Sequence, residues 1–390
     1  MVHWIRDKLT AVGKRLSLRP YLAREPVMLA VLSASAVVFF LAVTGLSHVY
    51  RAQQEALGSR WFTRGSTELN AGHFGGAVSD FRAALLYSRD NYSYEFNLAE
   101  ALVGLKRSSE AQAYLINLWE RQPENGFVNR ELARICAQSG ETDKTLRYYH
   151  NAIYATWPED QETERRQTRL ELINYLLKIN ARAQAQSELI ALASNLGNHP
   201  AEQTQVGNLF LRAKDYEEAL NAFQMVLKSD RHNADATVGA GLAAFDLGRY
   251  ALAERYLKAT VSANPHDAES ATRLKTAELV LRMDPFQRGL SGAQKNQIVV
   301  DAFAAAGQRL QSCNMQNASI AAEAAQPSLA DTWKSMKSRV SPWGLRRDPD
   351  LVEAAMDLVF RIERETGASC GTPSETDTAL LLVGKSHEGG

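Results

Sequence analysis

The sequence predicts an all-α protein: a stack of helical hairpins behind an N-terminal transmembrane helix, followed by a small helical C-terminal domain. Three observations predict it. Ala, Leu, Glu, Arg and Gln dominate and β-branched runs are few, a composition that favours helix. The stretch from Val27 to Val49 is 23 residues long and carries no charge. One small position recurs at Ala77, Ala111, Thr145, Ala185, Ala219 and Ala253, in steps of 34, 34, 40, 34 and 34 residues. A fixed period of that length marks stacked units, none able to bury its apolar face alone.

At 390 residues the chain has room for two or three domains. Lys plus Arg and Asp plus Glu both number 44, so no global field draws the protein to nucleic acid. A hydrophobic content of 45% argues against wholesale disorder.

Residues 1–25 form a basic leader and 26–50 the predicted membrane span. The uncharged stretch rises about 34 Å at roughly 1.5 Å per residue, enough for a hydrocarbon core of ~30 Å. A cleaved signal peptide is the alternative. Against it stand the overlong apolar region, the long basic leader and the lack of a convincing A-x-A cleavage site before Arg51. Arg6, Lys8, Lys14, Arg15, Arg19 and Arg24 outnumber the Arg51, Arg60 and Arg64 that follow the span. That bias places the leader in the cytoplasm and the rest outside it. Trp4, Ile5, Leu9, Val12 and Leu16 fall at helical spacing among the leader's cations. The leader is then either an amphipathic helix on the anionic leaflet or an unstructured flank that only sets topology.

Six repeat units cover 57–266. Each reads as two amphipathic segments about a tight turn, for example Trp61, Gly65 and Leu69 before it and Ala77, Phe81 and Ala84 after it. Small residues recur where helices approach closely, with large apolar ones beside them. Gly72, Gly140 and Gly248 sit at the turn inside a unit, where a left-handed residue ends the first helix. Pro123, Pro158 and Pro265 follow second helices, where a missing donor is tolerated. The charged run 156–167, TWPEDQETERRQ, is an insertion that accounts for the one long step.

These units resemble tetratricopeptide (TPR) repeats. Trp61 matches the family's early aromatic, Gly65, Gly207 and Gly241 its small eighth position, and Tyr216 and Tyr250 the aromatic after the turn. The pattern departs at Thr145, at Ile173, and at Arg89 and Arg231 where the family has Pro. The resemblance implies an α-solenoid whose concave face, lined by the first helices, holds a peptide or a partner helix. By that register the groove candidates are Phe62, Phe96, Arg130, Arg134, Asn174, Asn208 and Phe245, with Glu100 and Val103 among their neighbours. Asn174 and Asn208 occupy the same place in successive units and suit the backbone of an extended peptide. Arg130 and Arg134 lie one turn apart and suit a carboxylate. The alternative for all four is a solvated polar helix surface. The Lys, Asn and Arg set of the family's carboxylate clamp is not found in this chain.

Beyond the array, 267–285 reads as a solvating cap helix with Asp267 as its N-cap. Residues 286–390 read as a helical C-terminal domain, with helices near 291–312, 328–339 and 349–366, a linker at 321–328 and a frayed tail. In the third of these helices Leu351, Ala354, Met356, Leu358, Val359 and Ile362 share a face, and Asp348 or Asp350 is available to cap it. The apolar run 378–385 has no assignment. Cys136 reads as a buried apolar filler. Cys313 and Cys370 pair if the domain lies outside the cytoplasm; two free thiols are the alternative.

No metal, cofactor or catalytic site is supported. The eight His are scattered and form no ligand spacing. The VGKS at 383–386 lacks the leading Gly of a phosphate loop, Ala379 standing there instead. The expected function is a membrane-tethered protein–protein interaction scaffold or chaperone-like adaptor, similar in plan to bacterial TPR proteins of secretion and envelope biogenesis. The reverse orientation gives a cytoplasmic adaptor that recruits a complex to the membrane. A third class, an enzyme using the array for substrate capture, needs a polar triad or metal cluster in 286–390, and none is visible.

Overall fold

The computed structural model describes residues 19–157, 161–197, 199–316 and 328–388, and every named element among them is a helix. The amphipathic face of the leader and most of the 321–328 linker lie outside the described residues. The chain forms two compact units, one ending at Arg169 and the other beginning at Leu170.

The first unit contains α1 (Arg19–Asn70), α2 (Phe74–Tyr87), α3 (Tyr92–Gly104), α4 (Ser108–Arg121), α5 (Gly126–Ser139), α6 (Thr142–Ile153) and the start of α7 (Gln161–Lys178). The expected span and the first repeat helix are one uninterrupted 52-residue helix. Its apolar part has a mean hydropathy of 2.5 and no side chain buried against protein; Phe39 and Leu46 are each 72% exposed. By length and composition this helix is long and apolar enough to cross a membrane. After Tyr50 the same helix becomes one-sided. Gly65 faces Phe81 so closely that an added Cβ would lie 2.8 Å from the ring. Beside it Arg64 donates through Nε to Asp80, whose carboxylate is buried, at 2.6 Å. These contacts clamp α1 to α2.

Six turns set the period. Gly72, Gly140 and Gly248 have φ of 77, 75 and 74°, and Lys106, Asn180 and Lys214 take φ of 61, 61 and 59° at the corresponding places. The left-handed residue therefore recurs in all six units. Only three of them use the residue that adopts this conformation without a Cβ penalty. Lys106→Gly and Lys214→Gly are each expected to raise stability by about 0.5–1 kcal/mol, read as a shift in the thermal melt.

The 156–167 run is less of a solvated insertion than its charges suggest. Trp157 is 1% exposed, donates its indole N–H to the Ala152 carbonyl at 3.1 Å, and packs where a Cβ on Gly126 would be 2.4 Å from its ring. From Gln161 onward the run is helical, lengthening α7 to 18 residues. Part of the long step is thus additional helix.

The second unit holds the rest of α7, then α8 (Arg182–Ala193), α9 (Pro200–Ala213), α10 (Tyr216–Ser229), α11 (Ala234–Asp246) and α12 (Tyr250–Ala263). Ile173, Leu189, Phe210, Ala219, Phe223, Ala240 and Leu257 form one core through these hairpins. It continues through α13 (Ala268–Met283), α14 (Gly292–Gln316), α15 (Leu329–Lys337), α16 (Pro342–Arg347), α17 (Asp350–Ser369) and α18 (Glu375–Glu388).

Asp267 does cap α13, accepting from the Ser270 N–H at 3.1 Å. The helix is not simply a solvating end, however. Ala277, Val280 and Met283 join Phe303, Met356 and Leu380 in a C-terminal core, so α13 has partners on both sides. The unassigned run at 378–385 lies in α18, which packs on α13 and α17. In α17 the buried alanine is Ala355, whereas Ala354 is exposed, and Pro349 stands at the N-cap in place of an Asp side chain. Cys313 and Cys370 meet at the ends of α14 and α17, with Cα atoms 5.3 Å apart, and Cys136 is buried in α5.

Candidate peptide-binding groove

Within each unit the first helices of neighbouring hairpins approach one another. In the first unit α1 meets α3 and α3 meets α5; in the second α9 meets α11 and α11 meets α13. The second helices show no comparable approach among the described residues. Closer packing on one face curves a stack toward that face, so the first helices line an inner surface in each unit.

In the first unit that surface begins with Phe62, which serves packing more than reception. Its ring stacks on Tyr94 at 4.9 Å and leans on Phe81 at 5.7 Å, fixing α3 to the end of α1. Phe96 is half-buried, stacked on Tyr92 at 6.3 Å and edge-on to Phe127 at 6.2 Å. Phe127 meets Trp157 edge-on at 4.9 Å, and the Arg130 guanidinium lies over both rings, 5.5 and 5.0 Å from their centroids. Arg130 pairs with Glu164 on α7, and Arg134 pairs with Glu131 on its own helix. Neither arginine stands open as the carboxylate grip that their spacing suggested. Glu100, one turn after Phe96, is half-buried. Burial pushes its carboxyl up to about 7; the Glu131 charge adds to this, and Arg134 and Arg130 oppose it.

In the second unit Asn174 and Asn208 are both exposed. Asn174 is engaged: its amide N–H donates to the Leu170 carbonyl at 2.9 Å and its oxygen accepts from Arg212 at 3.0 Å. Asn208 lies on α9 between the half-buried Leu211 and the buried Thr204. Phe245 is half-buried, edge-on to Tyr250 at 5.5 Å, with Arg273 over its ring at 5.2 Å. Arg273 also holds Asp246 at 2.9 Å, so one face of Phe245 is covered from within the unit.

The structure therefore brings Phe96, Arg130 and Arg134 together in the first unit, and separately places Asn174, Asn208 and Phe245 along the second. The residues that sequence reasoning passed over are Trp157, Phe127 and Glu164. Arg130 and Glu164 are 34 residues apart, but the repeat step between their units is 40, so register alone does not pair them. Among the described residues no cluster of His, Cys, Asp and Glu is disposed to hold a metal ion.

A profile of the tetratricopeptide repeat matches residues 62–115 and 206–268. No curated protein matches the chain. Among solved structures, the chain is similar to PilF of Pseudomonas aeruginosa at 14% identity, covering 56% of this chain and 97% of that one, with a TM-score of 0.39. It is similar to PilW, a type IV pilus biogenesis factor, at 17% identity, with coverages of 56% and 98% and a TM-score of 0.39. A third likeness is to YrrB, a TPR protein with an unusual peptide-binding site, at 18% identity, coverages of 50% and 97%, and a TM-score of 0.39.

Proposed function

We propose that this tetratricopeptide-repeat chain is a protein-interaction scaffold or adaptor tethered to a membrane by α1, with its repeats and C-terminal helices outside the cytoplasm. The observation that carries the reading is the continuity of α1 from its apolar part into the first hairpin. From Tyr50 to Gly58, where Tyr87 and Tyr94 pack against the helix, the rise is about 12 Å at ~1.5 Å per residue. No linker intervenes, so the first inner surface is presented at a fixed short distance from the bilayer. The charge bias about the span supports the orientation. The approach of Cys313 to Cys370 also supports it, because a disulfide there persists only in an oxidising compartment.

Two measurements test this in intact cells. An alkaline phosphatase fusion after Gly390 is expected to be active, as it folds only outside the cytoplasm; activity of a cytoplasmic reporter alone would overturn the orientation. A photo-crosslinking residue at Asn208, on the inner surface of the second unit, is expected to capture a discrete protein partner. The same residue at the exposed Ala113 on α4 is not. Equal capture at both positions would remove the inner surface as the binding face.

A further inference from the structure

One carboxylate on the inner surface of the first unit has no cation of its own. Among the described residues Glu100 takes part in no hydrogen bond or ion pair, although it is half-buried. The charged groups that bear on it are Glu131, Arg134 and Arg130, all from α5. Both arginines already hold other acids, Glu164 for Arg130 and Glu131 for Arg134. Glu131 adds like charge. An ionised carboxylate in that position has lost water on one side and is offset only by arginines that already hold other acids.

Its surroundings fit a cation brought from outside. Phe96 lies one turn before Glu100 on α3 and meets Phe127 of α5 edge-on at 6.2 Å, so aromatic surface adjoins the carboxylate. Aromatic surface and a carboxylate together suit an ammonium or guanidinium on an apolar stem better than any anion.

We propose that Glu100 receives a lysine or arginine side chain of the bound segment, so that the groove of the first unit selects basic peptides. The proposal rests on the reading of the array as a peptide-binding surface and deepens it. It reverses the sign that Arg130 and Arg134 suggested from sequence, because both of those charges are already matched. Binding follows the ionisation of Glu100. A carboxyl held near 7 is largely protonated in mild acid, so the preference for basic peptides rises with pH through neutrality.

The test pans a random dodecapeptide library displayed on phage against the full chain in lipid nanodiscs at pH 8. Wild type is expected to enrich Lys or Arg over Asp or Glu at one peptide position by about tenfold. Glu100→Gln is expected to abolish that enrichment, and Glu100→Lys to turn it toward acidic residues. A purely structural role for Glu100 would not move the sign of the preference. Thermal melts at pH 8 accompany the selections, with Glu100→Gln expected to melt no lower than wild type. Enriched peptides with no basic position, or a basic preference that survives Glu100→Gln, overturn the cation subsite and leave the groove standing. A wild type that enriches no peptide overturns the groove reading and the subsite with it.

Discussion

Phe223→Ala is expected to cost about 3–5 kcal/mol, the range for deleting a fully enclosed aromatic side chain. The ring is 0% exposed and stands between two glycines of successive first helices. A Cβ added to Gly207 would lie 2.7 Å from it, and one added to Gly239 2.2 Å. The ring thus fills the space that two missing side chains leave, and it ties α9, α10 and α11 into one core. Because repeat stability is built from neighbour interfaces, the loss is expected to appear first as faster hydrogen exchange in those three helices. The glycines provide the control. Gly239→Ala alone is expected to destabilise by about 1–3 kcal/mol through overpacking. In the Phe223→Ala background the same change is expected to stabilise by about 0.5–1 kcal/mol, since it fills space and removes a flexible helix interior. Additive effects of the two substitutions in denaturant titrations would show that ring and glycine do not share the site.

Most of the array was legible because its signals are local and periodic. The ladder from Ala77 to Ala253 placed the small buried positions, all 0% exposed where the structure puts them. The turn glycines announced a left-handed residue that Lys106, Asn180 and Lys214 also adopt, and only position in the repeat marks the two lysines. The membrane-length apolar run was equally plain. Its fusion with the first repeat helix was not, because nothing between Tyr50 and Leu57 breaks a helix and no pattern announces an absent break. Trp157 was hidden by its setting, a single aromatic beside a string of charges. The groove was the least legible part. Register puts Arg130, Arg134 and Glu100 on one surface, but which charge is matched by which depends on side-chain reach. Arg134 pairs within its own helix and Arg130 with the first turn of α7. Asn174 shows the same limit, since its partner Arg212 lies 38 residues away, off the period.

The C-terminal core contains a charge that makes stability depend on pH. Glu363 on α17 is 1% exposed, and neither carboxylate oxygen has a hydrogen-bond partner among the described residues. Burial pushes its carboxyl up to about 7; Asp377 on α18 adds to the rise and Arg309 on α14 opposes it. Arg309 is largely committed elsewhere, donating to the carbonyls of Thr366 at 3.2 Å and Gly371 at 3.1 Å at the end of α17. The folded protein therefore holds this proton more tightly than the unfolded chain, where the group titrates near 4.5. The stability so contributed is complete below the unfolded value and is lost as pH rises through about 7. A rise of this size corresponds to about 3 kcal/mol at roughly 1.4 kcal/mol per pH unit. Glu363→Gln keeps the shape and removes the ionisation, so at pH 8 the variant is expected to be more stable than wild type by up to about 3 kcal/mol. At pH 4.5 the two are expected to be nearly equal. Glu100 in the first unit titrates in the same direction, so the wild-type slope alone is not diagnostic. The difference between wild type and variant at each pH, from denaturant unfolding followed through the C-terminal tryptophans, isolates Glu363. An equal difference at both pH values would mean that its charge is matched in the folded protein.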